Sequence, residues 1–339
     1  MSPRHVLSWK PLYYQAFLPV VRCLAPGCRD WLLAILGRLI SAFRTERRGE
    51  IFRAVRRADL ALEAGWNQRE VARNLASSLP RFAARDYLLD GLGDHAALGL
   101  FDVEGDEALQ AALEAGRGAI IVGSHFGGHV AGLHWLYRRG VPLRVLVQRP
   151  NHVSRYLQAK FNEPGPHAQS TLFLKRDLSP CAATDRLLRT HAAIRDGMVI
   201  YFTGDIPWAG SNTRPGRLLG RETEFLSIWA DVAALTKVPV FLSLCTHARG
   251  GRYRLSLESL GILRPGEEGL AVAQFLARLD AEIAANPTEA IAHLLWDHYN
   301  PSDSLTKPAR KHRSKRSVPR PHFEPKTGGV TLADAYPPR

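Results

Sequence analysis

The chain has 339 residues, 45% of them apolar, and its 45 Lys and Arg outnumber 32 Asp and Glu to give a formal net charge of +13. A chain of this length can bury one large core or two smaller ones, which excludes a protein that is disordered throughout. The basic excess favours an anionic partner such as nucleic acid or anionic lipid, while four scattered cysteines exclude a disulfide scaffold.

The first hundred residues carry helical patterns. Apolar residues recur three and four positions apart over residues 31–43, 51–64 and 67–79, and this spacing predicts a helical lead-in. Each apolar run is shorter than the roughly 20 residues that cross a bilayer, so neither a transmembrane helix nor a classical signal peptide is predicted.

Aromatic residues and leucines are interleaved with basic residues within this lead-in. The pattern is typical of a segment in a membrane interface, and equally of helices packed on the main domain. The residues are Tyr13, Tyr14, Phe17, Leu18, Trp31, Leu32 and Leu33, with Lys10, Arg22, Arg29 and Arg38 between them.

From about residue 118 the pattern changes to short β-branched runs separated by helices. Strands are predicted at 119–123, 143–148, 198–203, 238–244 and 252–257, with helices at 128–137, 182–195, 228–235, 267–284 and 287–296. This alternation predicts an α/β fold, a mixed sheet flanked by helices, and a ligand site at the ends of the strands.

The last 39 residues are basic and rich in proline. Residues 301–339 hold nine Lys or Arg, three acids and seven prolines, which predicts a disordered tail that docks on anionic lipid or nucleic acid, or has no role. The predicted organisation is therefore a helical lead-in over 1–100, interpreted as a membrane-interface segment, an α/β core over 101–300 and a disordered basic tail over 301–339.

The clearest local motif is Gly123-Ser-His-Phe-Gly-Gly-His129, between a buried strand and a helix. A histidine at a strand end suits a general base, because its pKa lies near neutrality and flanking glycines let a substrate approach. The alternative for His125 is a core or capping histidine. His125 and His129 have the spacing of a helical zinc pair, but the glutamate of that signature is missing, so no metal site is predicted.

Two further features concern charge. Residues 115–162 contain no Asp or Glu but seven Lys or Arg, which predicts an anionic ligand near His125 and makes Arg149, just past a strand, the best-placed phosphate ligand. Solvated surface arginines are the alternative. Asp205 ends another predicted strand, where it could orient a histidine, position a substrate hydroxyl, or only form a turn before Pro207.

Together these segments resemble the lipid A late acyltransferases, a branch of the lysophospholipid acyltransferase superfamily that also includes phosphatidylinositol mannoside acyltransferases. The resemblance spans roughly residues 30 to 300. It rests on Ala115-Gly-Arg-Gly-Ala-Ile-Ile-Val-Gly-Ser-His125-Phe-Gly and, in the same order, on residues 147–151, 194–205, 219–224, 233–240 and 286–296.

The resemblance implies a mechanism. Such enzymes use a histidine followed, after four residues, by Asp or Glu; the acid orients the imidazole, which deprotonates an acceptor hydroxyl as it attacks an acyl thioester. His125 falls on the base position, but the acid position is Val130. The orienting group must then come from His129 or from a distant acid, for which Asp205, Glu222 and Glu224 are the candidates.

The resemblance also implies a function: a membrane-associated acyltransferase that moves a fatty acyl chain from an acyl thioester to a hydroxyl of a lipid or glycolipid. The expected catalytic residues are His125, His129 and Asp205, and the expected substrate-binding residues are Arg149, Ser124, Gly127, Gly128 and Glu222. The donor would be acyl carrier protein or acyl-coenzyme A, the acceptor an anionic lipid or glycolipid, and no cofactor is expected.

The expected location is peripheral, at the cytoplasmic face of the inner membrane. Because a fold alone does not imply chemistry, the alternative is a non-catalytic lipid-binding or assembly protein that keeps the acyltransferase fold. Nucleic-acid binding is disfavoured, since the aromatic and basic surface motifs that would support it are absent.

Overall fold

A computed structural model describes residues 12–58, 60, 62, 65–84, 86–150, 153–174, 180–208, 212–296 and 299. Contacts divide the chain into a first unit, Met1–Pro301, and a second, Ser302–Arg339. The first unit contains both the lead-in and the α/β core. The basic tail predicted for 301–339 lies outside the described residues.

The lead-in is helical, as predicted. A π-helical turn, Leu12–Phe17, continues into α1 (Leu18–Arg22), followed by α2 (Pro26–Phe43), α3 (Thr45–Arg57) and α4 (Gln68–Ala84). Proline in the first turn of α2 is favourable because no hydrogen bond needs its missing N–H. The Asn67 side chain accepts from the Glu70 amide at 2.9 Å and so caps the start of α4.

Only one side of these helices is exposed. Tyr13, Leu18 and Leu33 are buried in a small apolar cluster with Val21 and Leu88, so the prediction that these three contact a membrane is corrected: they pack inward. Arg29 is also buried, and donates to the carbonyl oxygens of Leu24 and Leu88. The large exposed apolar residues of the lead-in are Leu12, Val20, Leu24, Trp31, Leu39, Ile40 and Phe43.

The core is a six-stranded mixed sheet, which confirms the predicted fold class. Its strands are β1 (Phe101–Glu104), β2 (Ala119–Gly123), β3 (Leu143–Val145), β4 (Val199–Thr203), β7 (Pro239–His247) and β8 (Tyr253–Ile262), and β5 (Thr213–Leu218) with β6 (Arg221–Leu226) forms a separate hairpin. The order is β1-β8-β7-β2-β4-β3, with β7 and β8 antiparallel and every other neighbouring pair parallel.

Helices cover both faces of the sheet. They are α5 (Asp94–Leu98), α6 (Asp106–Glu114), α7 (His129–Arg138), α8 (Arg155–Phe161), α9 (Pro180–Arg195), α10 (Ile228–Thr236), α11 (Glu268–Ala285) and α12 (Ile291–Leu295), with a 3₁₀ turn at Pro287–Glu289. Along the buried strand β2, Ile120 and Val122 join one apolar cluster and Ala119 and Ile121 the other. Two cores therefore pack on opposite faces, as strand alternation requires.

None of the helices within the described ranges combines the length and the hydropathy that a membrane span needs.

Candidate active site

Two neighbouring parallel strands bring His125 and Asp205 together. Gly123 of β2 lies opposite Thr203 of β4, and the Gly204 amide donates to the Gly123 carbonyl at 2.9 Å. The residues that follow each strand meet at one edge of the sheet. The His125 amide donates to Oδ2 of Asp205 at 2.7 Å, and Nδ1 of its ring lies 3.1 Å from Oδ1.

Two further side chains converge on the same carboxylate. His293 of α12 donates from Nε2 to Oδ2 of Asp205 at 2.8 Å. Tyr299, shortly after α12, donates its hydroxyl to Oδ2 at 3.0 Å, and the hydroxyl oxygen lies 2.8 Å from Nδ1 of His125. The Asp205 side chain is 0% exposed, whereas that of His125 is 21% exposed, so the imidazole is the part of the cluster that meets solvent.

The electrostatics of the cluster favour an ionised Asp205. Burial by itself would raise the pKa of this carboxyl, but the charge and hydrogen bond of His125, together with His293, outweigh it and hold the pKa well below its usual range. Burial, followed by the nearby Asp205 charge, raises the pKa of Tyr299 well above its usual value. Tyr299 therefore keeps its proton at neutral pH.

These contacts select one tautomer of His125. An ionised carboxylate only accepts hydrogen bonds, so the ring nitrogen facing it, Nδ1, carries the proton. The Tyr299 hydroxyl donates to Asp205 and can accept from the same Nδ1–H. Nε2 then holds the basic lone pair, the arrangement that general-base chemistry requires.

Aromatic rings surround the imidazole. The rings of His129 and Trp296 each lie edge-on to His125, with centroids 5.4 Å away, and Phe82 of α4 contacts both of these rings. His129 is thus a ring neighbour of His125, whereas the groups at Nδ1 are Asp205 and Tyr299. Of the two predicted sources of an orienting group, the distant acid Asp205 is the one with a hydrogen-bond contact to Nδ1 of His125.

The glycine turn is built into the fold through its amides. Gly127 donates to the Glu289 carbonyl at 3.1 Å and Gly128 to the Cys245 carbonyl at 2.7 Å. Gly127 has φ +53°, and a Cβ there would collide with the Cys245 carbonyl oxygen, so only glycine fits without strain. The Ser124 hydroxyl accepts from the Phe126 amide at 3.2 Å. Substrate binding by Ser124, Gly127 and Gly128 stays a prediction.

A second buried histidine–carboxylate pair supports this turn. Oε2 of Glu289 lies 2.6 Å from Nδ1 of His247, and the main chain of Glu289 receives the Gly127 bond. Burial would raise the pKa of Glu289, but His247 and then Arg81 more than offset it, so the net shift is downward. The Glu289 main chain thus bonds to the turn that carries His125, while its ionised side chain bonds to His247.

A cavity of about 180 Å³ adjoins the cluster. Its walls are mainly apolar and include the β5–β6 hairpin, and His293 and Tyr299 form part of its lining. Glu222 lines this cavity, so the structure places it beside the site and not at the His125 ring. The residues around it are Ala58, Pro207, Leu218, Leu219, Arg221, Glu222, Thr223, Phe225, His293 and Tyr299.

Three of the seven Lys and Arg within residues 115–162 form ion pairs within the fold. Arg138, Arg139 and Lys160 form ion pairs with acids that lie outside the acid-free stretch. Arg149 is exposed, donates to Asn162 at 3.2 Å and stacks over Phe173. Its described contacts do not include His125 or Asp205, so a phosphate-binding role stays a prediction.

Val130 is the residue at which the resemblance implies an acid. It is 7% exposed and packs in the apolar cluster on one face of the sheet. The carboxylate at the His125 ring comes instead from the end of β4, as one of the sequence alternatives had it.

Sequence reasoning missed His293, Trp296 and Tyr299. His293 and Trp296 belong to a segment that carried the family resemblance, and a histidine within its apolar run was the available signal. Within the described ranges, no group of three or more His, Cys, Asp and Glu side chains is arranged to hold a metal ion.

Comparison with known proteins identifies the family of the chain. A search of curated proteins found no match. The model of one family, bacterial lipid A biosynthesis acyltransferase, matches residues 2–291, which is most of the chain and includes both β2 and β4 with the residues that follow them. The chain belongs to the bacterial lipid A biosynthesis acyltransferase family.

Proposed function

We propose that this protein transfers a fatty acyl chain from an acyl thioester to a hydroxyl of a lipid or glycolipid, with His125 as general base and Asp205 as the acid that orients it. Family membership indicates acyl transfer to a lipid, with an acyl donor and a lipid acceptor in general. The observation that carries the finer proposal is the contact between Nδ1 of His125 and Oδ1 of Asp205.

The proposed reaction uses Nε2 of His125. This nitrogen takes the proton of the acceptor hydroxyl as the hydroxyl oxygen attacks the thioester carbonyl carbon. The tetrahedral intermediate then collapses, the carbon–sulfur bond breaks, and the imidazolium returns its proton to the departing thiolate. Throughout, Asp205 stabilises the imidazolium and fixes its tautomer.

We assign the acyl chain to the cavity beside the cluster. Leu218, Leu219 and Phe225 present apolar surface there, and burial of each methylene contributes about 0.8 kcal/mol to binding. Because Tyr299 contacts His125 and also lines this cavity, a chain held there lies next to the reacting groups. Glu222 would then contact substrate at the cavity wall.

We propose acyl carrier protein or acyl-coenzyme A as donor, and an anionic lipid or glycolipid as acceptor. Both donors carry phosphate, and the net charge of +13 attracts either to the protein. Arg149, exposed beyond β3, remains the candidate for a phosphate contact.

We place the protein peripherally at the cytoplasmic face of the inner membrane. Trp31 and Phe43 of α2 are 66% and 83% exposed, which supports contact with the apolar edge of a bilayer. Arg38, Arg44 and Arg48 are exposed on α2, at its end and on α3, where they suit anionic headgroups.

The test is an acyl-transfer assay with purified protein. Acyl carrier protein and coenzyme A thioesters are each supplied with anionic lipid or glycolipid acceptors, and the acylated product is measured by mass spectrometry. His125→Ala should lower the rate by about a hundredfold or more, as expected for loss of a general base.

The matched control is His167→Ala. His167 forms a surface pair with Asp196 at 2.7 Å, so this variant also breaks a histidine–aspartate contact, but outside the cluster. It should keep the wild-type rate within about twofold. A folded wild type that acylates none of the acceptors with either donor, yet binds them, would favour the non-catalytic lipid-binding protein instead.

A further inference from the structure

We propose that Tyr299 and His293 are positioning residues that hold Asp205 against His125, so that the segment after α11 completes the active site. The inference rests on the proposed function, because it assigns these residues a role toward the same general base.

Three donors hold one oxygen of the Asp205 carboxylate. Oδ2 of Asp205 accepts from the His125 amide, from Nε2 of His293 and from the Tyr299 hydroxyl, at 2.7, 2.8 and 3.0 Å. With Oδ2 held in this way, Oδ1 is the oxygen that meets the imidazole at 3.1 Å. The orientation of the carboxylate is therefore set by donors from two separate parts of the chain.

The Tyr299 hydroxyl also bears on the tautomer of His125. The Tyr299 hydroxyl lies 2.8 Å from Nδ1 of His125, and it could in principle donate its proton to that nitrogen. An ionised Asp205 prevents this, because it draws the hydroxyl proton to Oδ2 and leaves the hydroxyl oxygen to accept from Nδ1–H. Tyr299 thereby adds a second acceptor for the Nδ1–H proton of His125. While this proton stays on Nδ1, Nε2 keeps its basic lone pair.

His293 and Tyr299 both follow α11 in the chain, in the same short segment. Position 130, where the resemblance implies an acid, is the apolar Val130, so the acid at the His125 ring is the one that these two residues hold. Trp296, in the same segment, packs its ring against His125.

The experiment compares Tyr299→Phe with Tyr137→Phe in the full-length protein. The first variant removes only the hydroxyl and keeps a ring to pack against His293. The second removes a buried tyrosine hydroxyl on α7 that has no hydrogen-bond partner in the described part of the chain. Nitrogen-15 NMR of labelled histidine reports the tautomer of His125, and steady-state kinetics report kcat and KM.

Tyr299→Phe should raise the fraction of His125 that carries its proton on Nε2. It should also lower kcat by roughly ten- to hundredfold, the effect of one hydrogen bond to a charged group, with KM nearly unchanged. Tyr137→Phe should alter neither. His293→Gln, which keeps a donor on a flexible side chain, should show an intermediate tautomer shift if Tyr299→Phe proves unstable.

An unchanged tautomer in both Tyr299→Phe and His293→Gln would overturn the inference, even with reduced kcat, because that pattern indicates a merely structural role. The NMR readout does not need turnover. If wild-type protein acylates nothing, the proposed function fails, and the tautomer shift still decides the positioning role.

Discussion

At the scale of single residues, Asp205 is the side chain on which the site depends. Its carboxylate is fully buried, yet it stays ionised because His125, His293 and Tyr299 surround it with donors. A buried charge is stable only when it is paired and hydrogen-bonded in this way. The same contacts that stabilise the fold therefore orient the imidazole.

Replacing Asp205 with Asn should destabilise the protein by about 2 kcal/mol at neutral pH, the loss of hydrogen bonds to a charged group. The pKa of Asp205 is lower in the folded protein than its value near 3.8 in the unfolded chain. The carboxylate therefore stabilises the fold fully above pH 3.8, and this stabilisation is lost as the pH falls below 3.8. The difference in unfolding free energy between wild type and Asp205→Asn should shrink below this pH. Urea unfolding at several pH values measures it, and a difference independent of pH would contradict the pKa assignment.

Val130→Glu introduces an acid at the position where the resemblance implies one, and we expect it to lower stability without raising turnover. The side chain is buried among apolar residues, so an unpaired carboxylate should cost about 3 kcal/mol or more. Nδ1 of His125 already has its acceptors, so turnover should not rise. Val130→Ala, which removes only apolar contacts, is the control. A well-folded Val130→Glu that is faster than wild type would show that Asp205 orients His125 poorly.

At the scale of elements, acids from the lead-in cap a helix of the core. Asp86 accepts from the Ser154 amide, and Asp90 accepts from the amides of Arg155 and Tyr156 at the start of α8. Negative charge at a helix N-terminus is favourable. His134 joins the same network: it receives a bond from Arg138 at Nδ1 and meets the Ser154 hydroxyl at Nε2.

The network around Asp86 predicts a pH dependence of stability that is opposite in sign to the one predicted for Asp205. Burial is the main cause that raises the pKa of Asp86 to about 6, so its contribution to stability is full below the unfolded value of 3.8 and is lost as the pH rises through about 6. Relative to Asp86→Asn, wild type should lose about 3 kcal/mol of unfolding free energy between pH 4 and 7, at about 1.4 kcal/mol per unit. Urea unfolding of both proteins tests this; a constant difference would contradict it.

The elements near the site differ in how far the sequence predicts them. Strands β2 and β4 are predictable because their β-branched runs are buried on both faces, and His125 and Asp205 are predictable because they follow those runs. Strand β1 and the β5–β6 hairpin were not predicted, since charged side chains alternate along them. His293 lies 88 residues from Asp205, and no local pattern reports a contact that depends on how α12 packs.

At the scale of the whole first unit, one helix connects the exposed face of the lead-in to the site. Arg81 of α4 pairs with Asp30 of α2 and approaches Glu289 at 3.9 Å, and Phe82 contacts the rings of His129 and Trp296. α2 and α4 therefore link the exposed face of the lead-in to the residues around His125.

Membrane binding should depend on the exposed face of α2. Trp31→Ser combined with Phe43→Ser should weaken binding to anionic vesicles at least about tenfold, because two large apolar contacts are lost. Leu188→Ser is the control, since Leu188 is also 66% exposed but lies on α9. Vesicle sedimentation measures both. Equal binding by the double variant and wild type would exclude α2 as the contact surface.

The claim that Asp205 orients His125 for acyl transfer is tested most directly by kcat/KM of Asp205→Asn, with Asp196→Asn as its matched control. Asp196 forms the surface pair with His167, so the control makes the same chemical change outside the cluster. We predict a loss of at least about a hundredfold for Asp205→Asn and less than about twofold for Asp196→Asn. Wild-type kcat/KM in a folded Asp205→Asn, alongside a loss in His125→Ala, would contradict the account and show that another group orients the base.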